Sequence, residues 1–305
     1  MVVRRSLMLS FLALFAVPLV AAPSTPSKPC LTVADYVAVR AAIESGNDDG
    51  TVFQAFLDKL PTVTLMQSGG QHRYYLFEGD LLLSRDEVRY ALGHSTGGHT
   101  EEGPEKLGRE LIVNVDVANR PLIWPIGHRA LTYDIDLKSF PNDFPKAVRD
   151  QMVNNIERAA GEWVAACPGC GLSITHLVAH DASPHEGDAT FIVSYANATD
   201  ETIASSFFPS DPPEKHHLYV FPAYLSTSYD KVGVFRHEIG HILGYRHEHI
   251  RPEAGCQNET GAWKPLSDYD SKSVMHYYCG NGGTLALALT AMDRTNHHAL
   301  YRGGL

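Results

Sequence analysis

The sequence predicts an α+β domain, and three observations in its second half carry that reading. A β-branched and aromatic run at 130–136 precedes a long segment, 145–166, whose apolar residues recur at helical spacing. Short strand-like runs follow at 172–177, 190–195 and 217–221. A second helix, expected over 232–243, completes the alternation of element types. In the long helix the apolar stripe is Ala147, Val148, Met152, Val153, Ile156, Ala159, Ala160 and Trp163. Asp143 before Pro145 reads as its start signal and Pro168-Gly169 as its stop.

The first residues read as a processing signal. Arg4 and Arg5 precede an apolar run from Leu7 to Val20, and the small residues Ala21 and Ala22 follow. That run is too short to span a bilayer, so 1–22 is expected to be a secretory signal peptide. No stable membrane span is expected after its removal. The implied location is extracellular, or periplasmic in a bacterium. Residues 23–115 form an N-terminal region of shifting texture, with short helices at 35–44 and 52–60, a strand at 74–80 and an apolar run at 81–83. Residues 93–108 are rich in Gly, His, Thr and Glu without periodicity and read as an exposed linker. A second domain is expected over 116–305.

Composition narrows the partners. With 44% apolar and 20% charged residues the chain is expected to fold rather than remain disordered. A formal net charge of -10 disfavours nucleic acid, whose phosphates need clustered Lys and Arg. Export would place the five cysteines in an oxidising compartment. Cys167-Pro168-Gly169-Cys170 reads best as a short disulfide loop, because no second CxxC completes a zinc knuckle. Cys256 and Cys279 are then natural partners, leaving Cys30. Asn197 and Asn258 are glycosylation acceptors where the host glycosylates exported proteins.

The chemistry centres on His237-Glu238-Ile239-Gly240-His241-Ile242-Leu243-Gly244-Tyr245-Arg246-His247. Four residues apart on a helix, His237 and His241 project from one face and can share one zinc ion. Gly244 allows the backbone to turn sharply out of the helix, so that His247 can approach as a third ligand. Three protein nitrogens leave a position open, as a catalytic rather than a structural zinc site requires. Glu238 points nearby without being a ligand, where it can accept a proton from a water activated by the metal. One zinc per chain is expected. With 16 histidines in the chain, HExxH alone is a weak signal, and Gly244 and His247 make the longer pattern specific. Downstream, Ser273-Val274-Met275-His276-Tyr277 offers a methionine that alone would read as core packing.

The long histidine motif matches the metzincin signature, and Met275 stands where such enzymes have their Met-turn. Glu248 after the third histidine, together with Ser273 to Tyr277, resembles the astacin branch. That resemblance implies a twisted, mostly parallel sheet with an antiparallel edge strand and two long helices. A small irregular C-terminal subdomain, trimmed here and ending in a helix at 290–301, would follow. It also implies a zinc-dependent endopeptidase acting on proteins or peptides, with Tyr277 as a further zinc ligand or as a hydroxyl that swings away to the oxyanion. Phe77-Glu78-Gly79-Asp80 is similar to the motif by which precursors of this family hold themselves latent, with Asp80 capping the zinc. Glu248 would then meet the new N-terminus, created between Arg109 and Pro121; otherwise it is a solvated acid on a loop. The alternatives are a catalytically silent zinc-binding or adhesion protein, and a metzincin of another branch that retains its N-terminal domain. If 205–219 is an edge strand, a peptide substrate would add to it as a further strand.

Overall fold

The computed structural model describes residues 31–46, 50–67, 70–94, 111–116, 118–185, 187–198, 201–255 and 263–303. The expected signal peptide, Cys30, Cys256, Asn258 and all but the first two residues of the expected linker lie outside them. Among the described residues no helix is long and apolar enough to cross a membrane.

The N-terminal part begins with two helices, α1 (Val33–Glu44) and α2 (Thr51–Leu57). Thr32 and Asp35 form a capping box at the start of α1, each satisfying a backbone N–H near the other. An antiparallel meander follows, β1 (Thr62–Gln67), β2 (Gly70–Phe77) and β3 (Leu81–Leu83), and then α3 (Arg85–His94). Sequence reasoning missed β1 and α3. In α3 only Val88 and Leu92 among the larger apolar residues turn fully inward, too narrow a stripe to stand out as a helical period. Tyr36, Phe53, Phe56, Leu57, Phe77 and Val88 build a small core, which Phe208 from the later chain joins. Val63, Leu65 and Leu76 pack on Phe221 in the same way.

The remaining elements in chain order are β4 (Ile112–Asn114), β5 (Ala130–Ile135), α4 (Lys146–Ala166) and β6 (Ser173–His176). Next come β7 (Phe191–Tyr195), β8 (Ala204–Ser205), β9 (His217–Val220) and α5 (Ala223–Ser226). Last are α6 (Lys231–Ile242), β10 (Tyr245–Arg246), β11 (Trp263–Pro265) and α7 (Ala291–Tyr301). The architecture is α+β, with a five-stranded sheet in the order β6-β5-β7-β9-β8. Four strands are parallel and β8 runs antiparallel at the edge. The edge is much shorter than the 205–219 strand considered above. Only Ala204 and Ser205 pair with β9, and Pro209, Pro212 and Pro213 remove the N–H groups that a longer ladder would need.

Helix α4 buries Met152, Ile156, Ala159, Ala160 and Trp163 in the main core, as its sequence stripe predicts, whereas Ala147 and Val148 in its first turn are exposed. Its start differs: Pro145 occupies the N-cap without a capping side chain, so Asp143 does not cap it. Cys167 and Cys170 are joined as a disulfide at its C-terminal end. Strand β4 lies antiparallel between β10 and β11. Leu111, Val113 and Val115 belong to the main core, so packing with the second half begins a few residues before the expected boundary at 116.

Helix α7 is tied in by His297, which is fully buried and shares a 2.8 Å hydrogen bond between its Nδ1 and the Tyr245 hydroxyl. Burial pushes the His297 pKa down to about 3, and that of His217 on β9 down to about 4. Both are neutral in the folded state, whereas the unfolded chain takes up their protons below an ordinary value near 6.5. Their share of stability is complete above about pH 6.5 and is lost as pH falls through about 4 towards 3. The melting midpoint should therefore drop over that range, and His297→Gln should flatten the drop. An identical slope in parent and variant would contradict this account.

Candidate metal centre

Asp230 caps α6, its carboxylate accepting from the Gly233 N–H at 2.7 Å. The helix then carries His237 and His241 one turn apart. Gly244 ends it with φ of +99°, and a Cβ there would lie 2.6 Å from the Leu122 carbonyl oxygen. Both facts require glycine. The chain turns back through β10 and delivers His247 to the same point.

The three imidazoles converge. Their Nε2 atoms are 3.1–3.3 Å apart, and Asp80 Oδ2 is 2.9–3.3 Å from each. A tetrahedral metal with ligands at ~2.0–2.1 Å separates its donors by about 3.3 Å, so the set has nearly the required edges. Orientation agrees with this. His237 Nδ1 donates to the Val274 carbonyl at 2.9 Å and His241 Nδ1 to the Tyr245 carbonyl at 2.7 Å. Those bonds leave the Nε2 lone pairs of the two rings aimed at one another, an arrangement that repels unless a cation lies between. Burial pulls the His241 pKa down to about 4, which keeps its ring in the neutral form that binds metals. The residues present therefore fit a zinc ion.

Asp80 arrives from the N-terminal part. Between β2 and β3 the chain turns at Glu78 (φ 55°) and Gly79 (φ 100°). The Gly79 α-carbon faces the Tyr277 ring so closely that a Cβ would lie 3.1 Å from it. The Ser205 hydroxyl donates to the Asp80 carbonyl, and the Tyr277 hydroxyl donates to Asp80 Oδ2. A buried ion pair between Arg246 and Glu78, and a second pair between Lys215 and Glu87, fasten the hairpin on either side. Burial disfavours the charge of Asp80, and it is positive charge at the positions of His247 and His241, which a bound cation would supply, that holds the carboxyl well below its ordinary range. Beside it Glu238 is buried, and Oε2 has no hydrogen-bond partner among the described residues. Burial first, and then the Asp80 charge, push the Glu238 carboxyl well above its ordinary value.

Met275 is fully buried, and its sulfur lies 2.3 Å from where a Cβ on Gly240 would be, so the helix carries glycine at that contact. The turn bearing it is held by Asp293 of α7, which accepts from the Ser273 hydroxyl at 2.7 Å and the Val274 N–H at 2.9 Å. Sequence reasoning did not give Asp293 this role. The visible signal was its capping box with Thr290, which the structure contains. Glu248 is fully buried and not a solvated acid. Its Oε1 accepts from the Asp270 N–H at 3.1 Å and lies 2.9 Å from Arg251 Nε. Burial raises its pKa to about 8 against the pull of Arg251. The Arg246–Glu78 pair went unpredicted, since nothing local links residues so far apart.

Next to His237 and Glu238 is a cavity of about 190 Å³, lined by Ile203, Ala204, Tyr229, Val234, Tyr277 and Leu287 among others. A second group, His249, His276 and Cys279, also brings three donor atoms together. It is not a metal site: Cys279 is disulfide-bonded, and both ring nitrogens of His276 are engaged, by the Tyr277 carbonyl and the Tyr269 hydroxyl. No known family model matches the chain, and no curated protein matches its sequence.

If a metal holds the three imidazoles together, chelation should lower the melting midpoint and zinc should restore it. Gly244→Ala should cost about 1–3 kcal/mol through the strained backbone, and weaken zinc retention by displacing His247. A variant that melts and retains metal like the parent would show that the turn does not set the site.

Proposed function

We propose that the chain is an exported, latent zinc endopeptidase of the astacin-like metzincin class, cleaving proteins or peptides. The observation that carries the reading is the meeting of His237, His241 and His247 with Asp80 beside an unpartnered Glu238 Oε2. A closed structural zinc site has no need of that glutamate. The mostly parallel sheet with its short antiparallel edge supports the same class. Residues 1–22, as a sequence, and the Cys167–Cys170 disulfide support export.

Zinc bound by the three histidines would supply a Lewis acid that polarises a scissile carbonyl and acidifies water. The side chains do the rest. Glu238 takes the proton of the attacking water and returns it to the leaving amine. Its raised pKa in the closed form owes part of its size to the Asp80 charge, so departure of Asp80 lowers it towards a working base. The same departure frees the Tyr277 hydroxyl, which in the closed form donates to Asp80, to donate to the developing oxyanion. Leu81 lies parallel to Ser206, just beyond β8, and so occupies the edge to which an extended peptide would add. In this reading Asp80 is the latch, and Glu248, with a raised pKa and an open Oε2, receives the amino group created by cleavage.

Zinc content and cleavage of unfolded casein test the reading on the precursor and on a form lacking residues before Leu111. The precursor should hold zinc and be silent, and the shortened form should cleave. Glu238→Gln in the shortened form should lower kcat/KM by about 10²–10⁴-fold while retaining zinc. Asp80→Asn in the precursor should raise its activity. A zinc-loaded but inactive shortened form would remove the peptidase reading, and equal activity of precursor and shortened form would remove the latch.

A further inference from the structure

Away from the three-histidine centre, one buried acid is left without an explanation in the fold. Asp134 lies on β5 between Tyr133 and Ile135, which face the main core. Alternation along a strand sends the Asp134 side chain to the opposite face of the sheet. It is nevertheless fully buried. Neither of its carboxylate oxygens has a hydrogen-bond partner among the described residues. A buried carboxylate normally accepts several hydrogen bonds or pairs with a cation, because water no longer solvates it.

Across from Asp134 stands the imidazole of His180, in the connection from β6 to β7. Its Nδ1 lies 4.0 Å from Asp134 Oδ2, and it too is buried without a partner among the described residues. That distance is too long for a hydrogen bond. It exceeds by about 0.7 Å the ~3.3 Å between two donors of a tetrahedral zinc, a gap that a small movement of the half-exposed His180 side chain closes. Burial disfavours a bare charge on Asp134, with Asp181 and Asp188 adding to that effect and His180 and His176 opposing it. Asp181 itself is already engaged, accepting from the Ile135 N–H at 2.9 Å and facing His176 Nε2 at 3.0 Å. It contributes charge rather than a free ligand atom. A proton on Asp134 would relieve its charge but leave its other oxygen and His180 Nδ1 unmatched, whereas a cation between the two side chains satisfies them together.

We propose that Asp134 and His180 are protein ligands of a second divalent-cation site, which pins the β6–β7 connection to the end of β5. An imidazole in the donor set favours an ion of the zinc class over calcium, which takes oxygen ligands. The His180 side chain is 40% exposed, so an ion can enter without unfolding. Two protein ligands hold an ion less tightly than three histidines, so this ion leaves first under mild chelation. The inference does not depend on the peptidase reading.

The test uses the full chain, stripped of metal, reloaded with zinc and analysed for bound metal by mass spectrometry. The parent should take up about two zinc ions per chain, one released by mild chelation and one retained. Asp134→Asn and His180→Ala should each lose the readily released ion and keep the other. His241→Ala should do the reverse. The readily released ion should also raise the melting midpoint of the parent and leave that of His180→Ala unmoved. His180 is partly exposed, so its replacement is tolerated by the fold even if that of Asp134 is not. Uptake of a single ion by the parent, abolished by His241→Ala, would overturn the proposal. So would an unchanged, readily released ion in His180→Ala.

Discussion

Three buried imidazoles whose Nε2 atoms lie 3.1–3.3 Å apart form the constraint on which the rest of the site depends. Without a positive charge among them such a cluster is unfavourable, and the fold spends several independent features on holding it. Helix α6 sets two of the rings, and the positive φ of Gly244 brings the third. Asp293 fixes the turn whose Val274 carbonyl orients His237, and the same turn places Met275 under Gly240. A helix at the far end of the sequence thereby controls a ring tautomer at the centre.

The N-terminal region completes the cluster from outside. Asp80 supplies a fourth donor atom and is held there by the Glu78–Gly79 turn, the Tyr277 hydroxyl and the Arg246–Glu78 pair. Contacts of Phe208 and Phe221 with two smaller cores dock the whole region. Tethering matters as much as contact. A carboxylate on the same chain, presented at high effective concentration, competes for one coordination position far better than a free one. Cutting the tether and releasing the region would remove that advantage without altering the histidines. The proposed latency therefore needs no rearrangement of the site itself.

Local patterns were legible in the sequence, and pairings were not. The spacing of His237 and His241, the glycine at 244 and the α4 stripe from Met152 to Trp163 are set by residues within a few turns of each other, and each stands where expected. The main strands likewise follow β-branched and aromatic runs. By contrast β4, β8, β10 and β11 are only two or three residues long and exist because distant segments pair with them. No period can form over such lengths. Glu248 would have been a solvated acid on a bare loop, yet it is buried, with Arg251 beside it and the Asp270 N–H brought to it by tertiary packing. Asp134 lies in a run that reads only as a strand, and its burial opposite His180 depends on a loop far along the chain.

If one zinc ion is held by three histidines and Asp80 in the intact chain, crystals of the zinc-loaded protein measured on either side of the zinc absorption edge should show it. The expected result is an anomalous peak ~2.0–2.1 Å from Nε2 of His237, His241 and His247 and at a similar distance from Asp80 Oδ2. A peak bound by the histidines with Asp80 turned away would contradict the latch, and no peak at the three rings would contradict the metal centre.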